Sequence, residues 1–319
     1  MQFSTKVPIH KASCGISYNS EIFSLGSCFA VNISEKFSYY RFRNVVNPFG
    51  ILFHPVAISN FLKDVSSKRL FVADDLIFHN ETWNCFDAHS EISNSSKDDL
   101  LANLNQASKA AYDNIQKASH VIITLGTSWV YKHLASDAIV ANCHKVPQKA
   151  FQKELLSVET ISSSIGEMIS IILGLNPQAN IIFTISPVRH LKDGFVENQI
   201  SKANLISALH KTINRQLTTV NYFPSYEIMM DELRDYRFYN ADMIHPNQIA
   251  IDYIWERFSE AYLSPEALEI AAKVDDIQKA LNHRPFNSNS AAHQQFQTNL
   301  QSKIENLQEQ YPHITFQNT

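Results

Sequence analysis

Five short apolar runs, each followed by a turn and then by helical periodicity, limit what this chain can fold into more than any other feature. The clearest is Val121-Ile122-Ile123-Thr124-Leu125, which stops at Gly126. Ile22, Phe23 and Leu25 precede Gly26, and 42–46 leads through Asn47-Pro48-Phe49 to Gly50. The runs 180–185 and 220–223 complete the set. Buried runs that alternate with helices predict a mostly parallel sheet with helices on both faces. Glycine sharpens this reading. The 319 residues include only seven glycines, well below the usual ~7%. Each one is therefore expected to meet a backbone requirement.

The predicted elements follow in order. A strand over 21–25 leads into a helix over 28–40, with Phe29, Ile33 and Phe37 at four-residue steps. Pro55 is placed to open a second helix. The stretch 70–92, rich in aromatics, reads as a small β excursion, and an irregular insert holding 142–147 follows the central strand. Further helices are predicted at 98–117, 158–175, 198–219 and 248–262. The fold class is a three-layer α/β/α sandwich. One domain is expected over 1–263, with a helical C-terminal extension over 264–319 that packs on the sheet or serves a contact between copies.

Composition excludes several classes. The net charge of -4 disfavours nucleic acid as a partner. Hydrophobic residues at 45% and charged residues at 18% support a sizeable core rather than disorder. No apolar run approaches the roughly 20 residues of a bilayer span, and residues 1–11 lack the apolar centre of a secretory signal. Cys14, Cys28, Cys85 and Cys143 are widely spaced, with no C-x-x-C pair. These features predict a cytoplasmic chain with reduced thiols and no membrane partner. No metal is expected, because His89, His144 and His190 show no ligand spacing.

Chemistry concentrates at two places. Ser27 falls on the turn between the first strand and its helix, where an open sheet presents reacting groups. Its plainer role is a helix N-cap. Near the other end, Asp242-Met243-Ile244-His245-Pro246-Asn247 puts an aspartate three residues before a histidine. Nucleophile, base and orienting carboxylate are the parts that acyl transfer needs. Cys28 is a competing nucleophile, with packing as its plainer role.

The string Gly26-Ser27-Cys28-Phe29-Ala30, together with Asp242-Met243-Ile244-His245-Pro246, resembles the GSCFA-domain family, placed in the SGNH (GDSL-type) hydrolase superfamily. The segments 142–147, 186–190 and 222–227 are similar to that family too. The resemblance covers about 20–262. It implies a serine esterase acting on a carboxyl ester, of which a short acyl group on a carbohydrate is one form, with Ser27, His245 and Asp242 as the triad. A Ser-His-Asp mechanism needs no cofactor, and none is expected. It also implies an oxyanion hole from Ser27, Gly50 and the position of Ser128. Two departures stand out: no aspartate precedes Ser27, and Ser128 replaces an asparagine. Losing one oxyanion donor costs roughly 100- to 1000-fold in rate. His144, Arg189, His190, Trp83 and His89 are the candidate substrate-binding residues. Two alternatives stay open on the same fold: a non-catalytic protein that binds a glycan or acylated metabolite, and an acyltransferase. The oligomeric state is not legible.

Overall fold

A computed structural model describes residues 5–213, 219–287 and 289–316. Its centre is a five-stranded sheet built from β1 (Glu21–Gly26), β2 (Arg43–Val46), β5 (His120–Leu125), β9 (Asn180–Ile185) and β10 (Val220–Phe223). Every pairing in it is parallel, and the order is β10-β9-β5-β1-β2. The chain therefore builds outward from β1 to one side, then returns and builds to the other. The order reverses between β1 and β5, where an open sheet leaves a crevice at its carboxyl edge. Gly26 stands opposite Thr124 across that junction.

Alternation along the strands sorts the two faces. Phe23, Leu25, Val121, Ile123, Leu125, Ile181, Phe183 and Ile185 join one buried cluster. That cluster also takes in α2 (Pro55–Ser66), α3 (Lys97–Lys117), α4 (Val158–Leu175) and α5 (Phe195–Thr212). Ile22, Ile122 and Ile182 belong to the opposite cluster, with α1 (Cys28–Tyr39), α7 (Gln248–Tyr262) and α8 (Pro265–Leu281). The helices start where their caps say they should. Ser27, Ser96, Ser157, Asn247 and Ser264 each accept a backbone N–H from the first turn. His54 caps α2 with its ring nitrogen.

The small excursion is a hairpin of β3 (Leu76–His79) and β4 (Thr82–Cys85). Its turn residues Asn80 and Glu81 both have positive φ, at 50° and 61°, which suits a tight two-residue hairpin. The second insert is not irregular, as its sequence suggested. It forms an antiparallel sheet of β6 (Trp129–His133), β7 (Ala138–Val140) and β8 (Phe151–Leu155) in the order β7-β6-β8. Helix α5 runs from 195 to 212 rather than 198 to 219, and residues 214–218 of that expected span lie outside the described residues. Helix α4 has the length and composition of a membrane span, with a mean hydropathy of 1.4 over 18 residues. It is not an unbroken apolar run, since Glu159, Ser162, Ser163, Ser164 and Glu167 interrupt it. Its stripe of Ile161, Ile165, Met168 and Ile172 is fully buried in the first cluster, and each such side chain contributes roughly 1.5–3 kcal/mol.

After β10 a three-residue turn of helix, α6 (Ser225–Glu227), runs into a π-turn over Ile228–Glu232. The C-terminal extension adds α8 and α9 (Ala291–Gln310). Tyr39 donates to Asp275 at 2.8 Å, and Gln278 donates back to the Tyr39 carbonyl at 3.0 Å. Leu307 and Ile314 are buried in the second cluster. The lead-in is irregular but anchored, since Ile16 pairs with Leu263 and is fully buried.

Candidate active site

Ser27 directly follows β1 and caps α1, its Oγ accepting from the Phe29 N–H at 3.3 Å. The cap and the site are thus one residue. Gly26 makes that turn possible. Its φ is +137°, and a Cβ there would lie only 2.2 Å from the carbonyl oxygen of Thr124 on the neighbouring strand. Gly126 ends β5 close beside it, where an added Cβ would lie 3.2 Å from Cβ of Ser27 and 2.9 Å from the Phe53 carbonyl oxygen. Ser27 is only 1% exposed, so an acyl group reaches it only where neighbouring side chains give way.

The structure changes the reading of the oxyanion donors. The Ser27 N–H donates to the Thr124 carbonyl at 3.1 Å, and the Gly50 N–H donates to the Asn47 carbonyl at 2.8 Å. Ser128 is fully buried and turned toward α5. Its N–H donates to Ser201 Oγ at 2.8 Å, and its hydroxyl donates to the Ser201 carbonyl at 3.1 Å. A short hydroxyl stays close to its own backbone and is captured by the first acceptor it meets, whereas an asparagine reaches further. Each of the three expected donors therefore already has an acceptor within the protein.

Asp242 and His245 do form a couple. His245 Nδ1 lies 2.7 Å from Asp242 Oδ2. The other carboxylate oxygen accepts the Ile244 and His245 N–H groups at 2.8 and 3.0 Å. These bonds hold the Asp242 carboxyl down at about 2, the His245 side chain first and the two amides next. An Nδ1–H fixed on a carboxylate leaves Nε2 as the acceptor, which is the form a general base needs. Both side chains are nearly half exposed, and no hydrogen bond joins His245 to Ser27 among the described residues.

His190 lies near His245 and Lys202. It follows β9, and its ring lies 6.4 Å from that of Phe53. Its buried Nε2 has no hydrogen-bond partner among the described residues. Burial first, then the nearby Lys202 and His245, push its pKa down to about 3. Arg189 braces the Asp–His loop: its N–H donates to the Ile244 carbonyl at 3.1 Å and its guanidinium to the Met243 carbonyl at 2.9 Å. The guanidinium also lies 5.4, 5.8 and 5.3 Å from the ring centres of Phe195, Tyr236 and Tyr239. A cavity of about 320 Å³ opens there, lined among others by Arg189, Asn198, Gln199, Tyr226, Met230 and Tyr239.

The remaining candidates do not join this group. His144 is buried in the inserts, with its ring on the Cys85 carbonyl at 2.6 Å and on Ser90 Oγ at 3.0 Å. Trp83 packs on Phe78 and under Lys97. His89 caps a short turn and fills the space beside Gly50, where an added Cβ would lie 2.5 Å from its own Cβ. Burial raises the Cys28 thiol despite the opposing effect of Lys202, which weakens it as a rival nucleophile. No group of three or more His, Cys, Asp or Glu suited to a metal ion occurs among the described residues.

Sequence reasoning missed Ser201 and Lys202. Ser201 Oγ lies 2.9 Å from Thr127 Oγ1 and accepts from Ser128, seating the loop after β5. Lys202 Nζ donates to the Gly126 and Ser186 carbonyls at 2.7 and 2.6 Å. The available signal was a lysine on the apolar stripe of α5, in helical register with Asn198, Leu205 and Leu209.

A parallel sheet with a serine at its switch point and an Asp–His couple beyond its last strand defines an α/β protein with a polar site at the strand ends. The chain belongs to the GSCFA family, whose model matches residues 21–258. A second model, described as the GSCFA domain protein, C-terminal domain, matches residues 274–319. No curated protein matches the chain.

Proposed function

We propose that this protein is a serine ester hydrolase of the SGNH type, acting on a carboxyl ester through Ser27, His245 and Asp242. The observation that carries this reading is the Asp242–His245 couple, closed at 2.7 Å and oriented by two backbone amides. In this scheme His245 Nε2 takes the Ser27 proton, and Asp242 stabilises the imidazolium that results. The arginine and aromatic side chains around the 320 Å³ cavity suit the apolar face and hydroxyl edge of an acylated sugar.

The test is hydrolysis of p-nitrophenyl acetate. Ser27→Ala and His245→Ala are each expected to remove most turnover. The double variant should lose little more than either alone, because triad members act as a unit. Multiplicative losses would count against the triad. Activity is expected to fall below about pH 7 toward pH 5, since a general base must be unprotonated to act, and a rate that does not fall over that range would contradict it.

The engaged amides of Ser27 and Gly50 and the inward Ser128 favour a second reading, a non-catalytic protein that holds a glycan or acylated metabolite in the same cleft. Binding of such a ligand unchanged by Ser27→Ala, with no turnover, would decide for it. Added acceptor alcohols that divert the product to a new ester would instead indicate an acyltransferase.

A further inference from the structure

Lys202 is 1% exposed and lies on the core face of α5. Taking an ammonium out of water is costly, and that burial pushes its pKa down to about 7. No carboxylate pairs with it among the described residues. An ammonium has three N–H donors, and the carbonyls of Gly126 and Ser186, at the ends of β5 and β9, take two of them. Among the described residues three titratable groups face it: the Cys28 thiol from α1, His190 from the loop after β9, and the Tyr226 ring from α6 with its centre 5.6 Å away. The first and last are raised by burial and His190 is lowered, so none is an anion at neutral pH. If only packing were needed, an apolar side chain would serve at lower cost. The Gly126 residue that holds Lys202 is also the one against which Ser27 sits.

We propose that Lys202 supplies the positive charge that the engaged oxyanion donors do not, its third N–H donating to the substrate oxygen beside Ser27. This rests on the ester-hydrolase reading of Ser27. Ser27 Oγ bonds to the acyl carbon, the carbonyl π pair moves onto oxygen opposite Lys202, and the serine proton passes to His245. When the adduct collapses, the C–O bond to the alcohol breaks and the alcohol takes that proton. Water then repeats the sequence and releases the carboxylic acid. Lys202 stays protonated throughout, which makes it an electrostatic catalyst rather than a base.

The experiment is the rate of Ser27 labelling by diisopropyl fluorophosphate from pH 5 to 9, read by mass spectrometry with Ser27→Ala as the blank. The reaction builds the same kind of charge on oxygen. In the wild type the rate is expected to fall above about pH 7, as Lys202 loses its proton. Lys202→Met should label about 100-fold more slowly at pH 6.5 and lack the alkaline fall. Should that variant fail to melt cooperatively, the wild-type profile decides alone. A wild type labelled at Ser27 with a rate flat or rising from pH 7 to 9 overturns the role of Lys202 and leaves the esterase standing. A wild type never labelled at Ser27 overturns both.

Discussion

At the scale of single residues, the site depends on where hydrogen-bonding capacity is already used. Ser128 illustrates this. Its hydroxyl and amide both end on Ser201, so Ser128→Ala should leave kcat/KM within about tenfold of wild type and lower stability by about 1 kcal/mol. A loss of 100-fold or more in steady-state kinetics would restore Ser128 to the oxyanion hole. Gly26 has no such latitude. With φ at +137° and the Thr124 carbonyl where a Cβ would go, Gly26→Ala should cost at least about 2 kcal/mol in urea unfolding. A neutral result would mean that the β1–α1 turn is not built as described.

At the scale of elements, helix α5 decides more than its sequence suggested. Ser201 seats the Thr127–Ser128 loop and Lys202 joins the ends of β5 and β9. Ser201→Val should therefore destabilise the protein by about 1–3 kcal/mol, since Ser128 N–H and Thr127 Oγ1 both lose a buried partner. Unchanged unfolding would remove α5 from that role. The strands and the Asp–His loop were legible because apolar runs, a glycine stop and a three-residue spacing are local signals. Ser27 as N-cap was legible for the same reason. What the sequence hid was long-range. Nothing near Ser128 says that its acceptor lies 73 residues later on α5. His144, polar and between strands, resembles a pocket residue until the Cys85 carbonyl is seen against its ring. The second insert looked irregular because its strands are only three to five residues long.

At the scale of the whole molecule, the buried histidines predict a fold that loses stability in acid. Buried His54 accepts the Ala57 N–H through Nδ1 at 3.1 Å and donates through Nε2 to the Val140 carbonyl at 3.0 Å, an arrangement only the neutral ring can make. Burial pushes its pKa from 6.5 down to about 4. Burial also lowers His120, His144 and His190. As pH falls, the unfolded chain takes up these protons first. The stability they confer is therefore complete above about pH 6.5 and is lost progressively down to about pH 4 for His54. That shift corresponds to about 3 kcal/mol for this one residue. Urea midpoints at pH 7 and 4.5 should show the loss, and it should be smaller in His54→Asn. An equal loss in the variant would move the acid sensitivity elsewhere.

The strand order also sets a schedule for synthesis. β1 gains β2 within about twenty residues of chain, but its other neighbour, β5, begins only at His120. A ribosome adding about 5–20 residues per second leaves that edge without a partner for several seconds. The exposed edge carries Ile22, Phe23 and Leu25, a short apolar segment of the kind that pairs with other chains. The crevice that holds the candidate site in the finished protein is, during translation, an open seam at which nascent chains can pair with one another.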